Sequence, residues 1–143
     1  MYKIVRKEIL TPNITLMEVM APRLALSAQP GQFLIVRVGE NGERIPLTIC
    51  NYNRERGTVT IVTQIVGASS FKICSLNEGD SFTDVVGPLG QPSELIDILP
   101  NKLKEMRFLF IAGGLGTAPV YPQAKFLHER GAYVDIIVGA KTK

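Results

Sequence analysis

The sequence predicts a six-stranded antiparallel β barrel followed by an incomplete α/β unit. Three observations lead there. From residue 2 to about 86, short apolar or alternating runs are punctuated by turn residues, the pattern of an all-β domain. Phe108 to Ala112 is a continuous apolar run, as in a parallel strand covered on both faces, and Gly113, Gly114 and Gly116 follow it at once. Residues 118–130 then take on helical character before a second apolar run, Val134 to Val138, which reads as the next buried strand.

Taken in order, the candidate strands are Lys3 to Glu8, Ile14 to Met20, Gln32 to Val38, Pro46 to Asn51, Thr58 to Ile65 and Ser81 to Val86. Thr11-Pro12-Asn13, Gln29-Pro30-Gly31, Glu40-Asn41-Gly42 and residues 53–57 supply turns. Six short strands at this spacing favour a closed barrel over an open sheet, because closure removes exposed edges. Between the last two, Ser69 to Leu76 has the length of a short helix, with Ser69 or Ser70 as its N-cap. Gly87-Pro88-Leu89-Gly90 turns the chain, and Glu94 to Leu99 suits a short helix. The boundary falls between Gln91 and Met106, giving a barrel domain over residues 1–95 and an α/β unit over 106–143.

In the α/β unit Pro119 suits the first helical turn, Val120, Ala124 and Leu127 share a face, and Gly131 supplies the stop. A strand feeding a helix through glycines presents free N–H groups and the positive helix end to an anion, so a dinucleotide pyrophosphate is the natural ligand. GGLGTAP is not the full GxGxxG fingerprint, and plain turn chemistry is the other reading. A lone strand, helix and strand cannot cover both faces of a parallel sheet, so the chain reads as the N-terminal part of a longer protein.

Composition narrows the classes further. With 45% hydrophobic and 20% charged residues, the 143-residue chain is an ordinary globular sequence. Its 16 basic and 13 acidic side chains form no run, which argues against nucleic acid as a partner. Cys50 and Cys74 are far apart and form no CxxC, so they read as reduced core residues. Charges at Lys3, Arg6, Lys7 and Glu8 interrupt any signal-peptide core, and no apolar run has membrane-spanning length; the expected compartment is the cytoplasm, with no membrane partner. His128, late in the helix, reads as exposed, and Tyr121 and Phe126 as packing residues. No Ser/His/Asp set, carboxylate pair or metal-ligand spacing stands out, and no catalytic side chain or metal ligand is assigned.

Four short motifs then occur in an order that resembles one family: Pro30-Gly31-Gln32-Phe33, Ile45-Pro46-Leu47-Thr48, Gly87-Pro88-Leu89-Gly90, and the stretch from Gly113 to Pro119. Together they resemble the ferredoxin–NADP reductase superfamily over the whole chain. Within it the chain looks most like the small FAD-containing electron-transfer subunits, those of NADH-dependent ferredoxin:NADP oxidoreductase (sulfide dehydrogenase) and of dihydroorotate dehydrogenase. The resemblance implies an FAD-binding barrel. It places the isoalloxazine against Ile45, Pro46, Leu47 and Thr48, the ribityl and adenosine parts along Val62, Thr63 and Gln64, and the flavin pyrophosphate at Gly67, Ser69 and Ser70. A mere helix cap is the other reading of the two serines. Gly113, Gly114, Leu115, Gly116 and Thr117 match the nicotinamide-nucleotide turn.

Two departures accompany the match. Ile45 stands where the family has an arginine, and Arg44, one place earlier, points to the other face of a strand. An acidic residue expected at the end of the second parallel strand is absent, and Lys141 and Lys143 stand there, leaning towards NADP over NAD. By resemblance a [2Fe–2S] cluster belongs to a C-terminal segment beyond this sequence. The implied function is a flavoprotein oxidoreductase subunit passing electrons between NAD(P)H and, through FAD and that cluster, a larger catalytic subunit or ferredoxin. The alternatives are a dihydroorotate dehydrogenase subunit using NADH and a docking module without flavin. Catalysis by residues 1–143 alone is not expected.

Overall fold

The computed structural model describes residues 2–141. Strands β1 (Tyr2–Thr11), β2 (Ile14–Met20), β3 (Phe33–Arg37), β4 (Ile45–Asn53), β5 (Thr58–Gln64), β6 (Ser81–Phe82) and β7 (Asp84–Leu89) form one antiparallel sheet in the order β6-β1-β2-β5-β4-β3-β7. The barrel therefore has seven strands where six were expected. The extra one arises because the predicted strand Ser81 to Val86 breaks at Thr83. Its first half pairs with β1 through Tyr2↔Phe82, and its second half pairs with β3 through Arg37↔Asp84. The two edges of the sheet are thus consecutive in the chain, and the barrel is nearly closed. Thr83 fastens the join: its N–H donates to the Arg37 carbonyl at 2.9 Å and its Oγ1 accepts from the Gly39 N–H at 2.7 Å.

Alternation along the strands explains the core. Val59 and Ile61 of β5 are fully buried, as are Met17 and Val19 of β2 and Ile49 of β4. The residues between them face outward, and a one-residue slip would exchange the two sets. Two motifs clasp each other at one end. The Gln32 side chain donates to the Gly90 carbonyl at 3.0 Å and accepts from the Gln29 N–H at 3.0 Å. Gly90, at φ +78°, leaves only 3.0 Å between the position of a Cβ and the Phe33 ring.

Helix α1 (Pro22–Ser27) was not anticipated from the sequence. It is only six residues long and is held by tertiary contacts, with Leu24 and Ala25 buried and the Arg54 guanidinium donating to the Leu26 and Ala28 carbonyls. Pro22 at its first position was the available signal. Helix α2 (Ala68–Ser75) starts at Gly67, so neither Ser69 nor Ser70 is its N-cap. Ser70, at the third helical position, reaches back instead: its Oγ accepts from the Val66 and Gly67 N–H groups at 2.8 and 3.0 Å.

The second part opens with a 3-10 turn over Glu94–Asp97 and helix α3 (Pro100–Leu103). Strand β8 (Arg107–Gly113), a 3-10 turn over Gly114–Gly116, helix α4 (Thr117–Glu129) and strand β9 (Tyr133–Gly139) follow. The two strands are parallel, running in register from Arg107↔Tyr133 to Gly113↔Gly139. Gly131, at φ +88°, ends α4 as expected. The expectation of strands buried on both faces is not met. A single helix shields one face, over Phe108, Phe110 and Val134, while Leu109, Ile111 and Ile137 on the other are exposed. Helix α4 also joins this unit to the barrel: Lys125 Nζ donates to Asn51 Oδ1 of β4 at 3.0 Å, and Ser93 Oγ to Gln123 Oε1 at 2.9 Å. No helix among the described residues is long and apolar enough to cross a membrane.

Candidate functional site

A groove of about 520 Å³ runs between the outer wall of the barrel and the carboxyl ends of the parallel strands. Outward residues of β2 and β5 form one wall, Leu16 facing Val62 and Glu18 facing Thr60. Strand β4 extends that wall. Its register shifts between Ile49 and Asn51, a bulge that presents both Cys50 and Asn51 to the groove. Across the gap lie Gly114, Leu115 and Thr117 of the glycine turn, Ala118 and Tyr121 of α4, and Ala140 just after β9.

The wall has two halves. Ile14, Leu16 and Val62 are apolar and face Leu115 and Tyr121, a lining suited to a flat ring system. One register step along β2 and β5, Glu18, Thr60 and Asn51 stand side by side across β2, β5 and β4. Glu18 is only 7% exposed. Its Oε1 accepts from Thr58 Oγ1 at 2.6 Å and lies 3.3 Å from Arg56 Nη1. Burial raises the Cys50 thiol above its ordinary range, so it faces the groove protonated at neutral pH.

The sequence-derived residues are distributed unevenly around this groove. It contains Val62, Gly114, Leu115 and Thr117. Gly113 ends β8 beside it, and a Cβ built on Gly113, Gly114 or Gly116 would meet nothing within 4 Å, so a ligand has room against this backbone. Gly114, at φ +52°, is the one of the three whose backbone itself favours glycine. The Thr117 hydroxyl is already committed to the Gly114 carbonyl at 2.9 Å, and Pro119 removes one N–H from the first turn of α4. Gln64, paired with Ile14, lies on the same outer face as Val62, while Thr63 is buried on the inner one.

The residues of 45–48 do not share a face. Ile45 and Leu47 pack against the barrel core, whereas Pro46 and Thr48 alternate to the outer face, four and two residues before Cys50. Arg44 pairs with Asp84 at 3.4 Å, away from any replacement role at position 45. Ser69 and Ile45 meet in a separate recess of about 110 Å³ that also holds Glu43 and Lys72, and the Ser69 hydroxyl donates to the Glu43 carboxylate. Gly67 is extended and open, and Ser70 is buried in its capping role. Of the two terminal lysines, Lys141 is exposed and Lys143 lies outside the described residues. Tyr121, expected to pack, is 44% exposed and lines the groove, while Phe126 packs in the α/β cluster as expected.

Sequence reasoning missed Leu16, Glu18, Cys50, Asn51 and Thr60. Leu16, Glu18, Asn51 and Thr60 are outward residues of alternating strands and read as ordinary barrel surface until the second unit is set against them, and Cys50, read as a core residue, is turned to the groove by the bulge in β4.

A protein of Clostridium beijerinckii described as lying in the adh 3′ region is 55% identical over all 143 residues, which cover 48% of its length. The dihydroorotate dehydrogenase B (NAD(+)) electron transfer subunit homolog of Thermotoga maritima is 38% identical over 141 residues, 99% of this chain and 48% of that protein. Among solved structures, that of NADH-dependent reduced ferredoxin–NADP oxidoreductase superposes with a TM-score of 0.90 at 36% identity, over the whole chain and 49% of its own. The chain belongs to the ferredoxin–NADP reductase superfamily. Within this superfamily, dihydroorotate dehydrogenase B electron transfer subunits are its homologues. No protein-family model matches it. The chain spans about half the length of the relatives it matches.

Proposed function

We propose that this chain is the flavin-holding part of an electron-transfer subunit that passes electrons between NAD(P)H and a partner, with FAD in the groove. One observation carries the reading: a single cavity joins the barrel wall to the glycine turn and the end of β9, bringing a flavin-sized apolar wall against a nucleotide turn. When bound, FAD supplies hydride exchange with a nicotinamide and onward transfer of the electrons.

The chain's own residues bind and orient. Leu16, Val62 and Leu115 offer apolar contact to the ring system. Thr48, on the same outer face, offers a hydroxyl to the ring edge. Pro46 shares that face, while Ile45 and Leu47 support the strand from the core side. The backbone of Thr63 and the outward Gln64 continue the track, and the open approach at Gly67 with the N–H groups of Ser69 and Ser70 at the start of α2 suits the flavin pyrophosphate. Gly113 to Thr117 receive the nicotinamide nucleotide, with NADP favoured by the exposed Lys141. The [2Fe–2S] cluster and the larger catalytic subunit or ferredoxin lie beyond residues 1–143, the compartment is the cytoplasm, and turnover requires the rest of the protein.

Two other readings have support of their own. The relationship to dihydroorotate dehydrogenase B electron transfer subunits favours NADH as the donor. The Glu43 carboxylate on Ser69, with Ile45 in place of arginine, disfavours an anion at α2 and supports a docking module without flavin.

The test is an absorption spectrum after incubation with FAD and removal of the excess. A flavin band at near-stoichiometric level is expected, reduced in Thr48→Val. A folded sample without flavin establishes the docking reading.

A further inference from the structure

The groove is an awkward place for a carboxylate. Glu18 is 93% hidden from solvent in a wall whose neighbouring register step is apolar, and a buried charge is costly unless its acceptor sites are used. Only Oε1 has partners, Thr58 and Arg56, and the Arg56 side chain is 61% exposed, so solvent weakens its compensation. Among the described residues Oε2 has no donor. Solvent reaches it, and the Glu18 side chain lines the groove. Thr60 and Asn51 lie in line with it across β5 and β4, and Lys125 fixes the Asn51 amide from α4; on the other side Arg6 of β1, which also lines the groove, stands opposite Glu18 with its guanidinium engaged by Glu8 at 2.6 Å.

A carboxylate oxygen accepts hydrogen bonds and repels phosphate. The complementary ligand group is a hydroxyl, and a row of carboxylate, hydroxyl and amide matches adjacent hydroxyls on a sugar chain. We propose that Glu18 is a specificity-determining residue whose free oxygen accepts a hydrogen bond from a sugar hydroxyl of the bound cofactor, with Thr60 and Asn51 completing the polar half of the groove. This rests on the flavin and nicotinamide reading above. Two groups carry that chemistry: the ribityl chain of a flavin and the ribose of a nicotinamide nucleotide. The second has a structural parallel, because Ala140 brings the end of β9, which lacks the acidic residue usual there, to the same groove.

The experiment uses the full-length protein as wild type, Glu18→Ala and Glu18→Gln, with Thr58→Val as a control that removes the Oε1 link and leaves Oε2 in place. Flavin-stripped protein is titrated with riboflavin and with lumiflavin, which lacks the ribityl chain. Flavin-loaded protein is assayed for KM and kcat with NADH and NADPH. If the partner is the ribityl chain, Glu18→Ala weakens riboflavin on the order of 10- to 100-fold and leaves lumiflavin unchanged. If it is the ribose, flavin affinity holds and KM rises by a similar factor at constant kcat. Glu18→Gln, which keeps an acceptor oxygen, falls between, and it carries the comparison if Glu18→Ala does not fold. Wild-type binding of flavin and nucleotide, matched by the Glu18 variants or by an equal loss of both flavins, overturns the role of Glu18 alone. A wild type that binds neither ligand overturns the cofactor reading as well.

Discussion

The barrel hides the apolar residues of its strands, and the α/β unit, whose strands are the more continuously apolar, does not. Ile61 in β5 is fully buried, and Ile111 in β8 is 73% exposed. The difference lies in topology. The barrel strands curl until β6 and β7 meet at Thr83, so each inward residue faces another strand's inward residue. Two parallel strands with one helix close nothing: their buried cluster is Leu103, Leu127 and Ala132, and one sheet face has no cover among the described residues. Apolar character in a strand is therefore a statement about what it can be packed against, and only the fold says whether that surface is supplied.

Substitution separates the two regions most sharply. Ile61→Ala in the barrel is expected to cost about 2–5 kcal/mol in denaturant unfolding, through lost burial and a cavity. Ile111→Ala should stay within about 0.5 kcal/mol of wild type; equal losses would mean that the sheet face is covered in solution. A smaller contrast comes from glycines. Gly90→Ala combines positive φ with the Phe33 contact and is expected to cost about 1–3 kcal/mol, whereas Gly114→Ala, in open space, carries only the conformational part. The smallest effect concerns pH. The raised Cys50 thiol contributes stability that is complete below its unfolded-state pKa and is lost as pH rises through its folded one, so stability should decline on the alkaline side and less so in Cys50→Ala. The same thiol should resist alkylation near neutral pH in native protein and react readily once unfolded.

The strands of the barrel were legible because period-two alternation, as in Thr58 to Gln64, is local. The break at Thr83 was not: nothing in Ser81 to Val86 marks a residue at which pairing passes from β1 to β3. Helix α1 escaped because six residues carry too little periodicity, and Arg54, far along the chain, supplies its C-terminal contacts. The glycine turn of the site could be read directly, since Gly113 to Gly116 interrupt an apolar run. The barrel wall opposite could not. Glu18 and Thr60 look like surface positions in the sequence, and they become one wall of the groove only when Lys125 and Asn51 hold α4 against β4.

The junction at Thr83 also sets an order of events during synthesis. Until residue 82 has emerged β1 lacks its last neighbour, and until residue 89 has emerged so does β3, so before then the two edges of the sheet stand open together. One short stretch, residues 81–89, then seals both. The nascent chain thus carries two adhesive strand edges for most of the barrel's translation and loses them nearly at once, well before the glycine turn that completes the groove has been made.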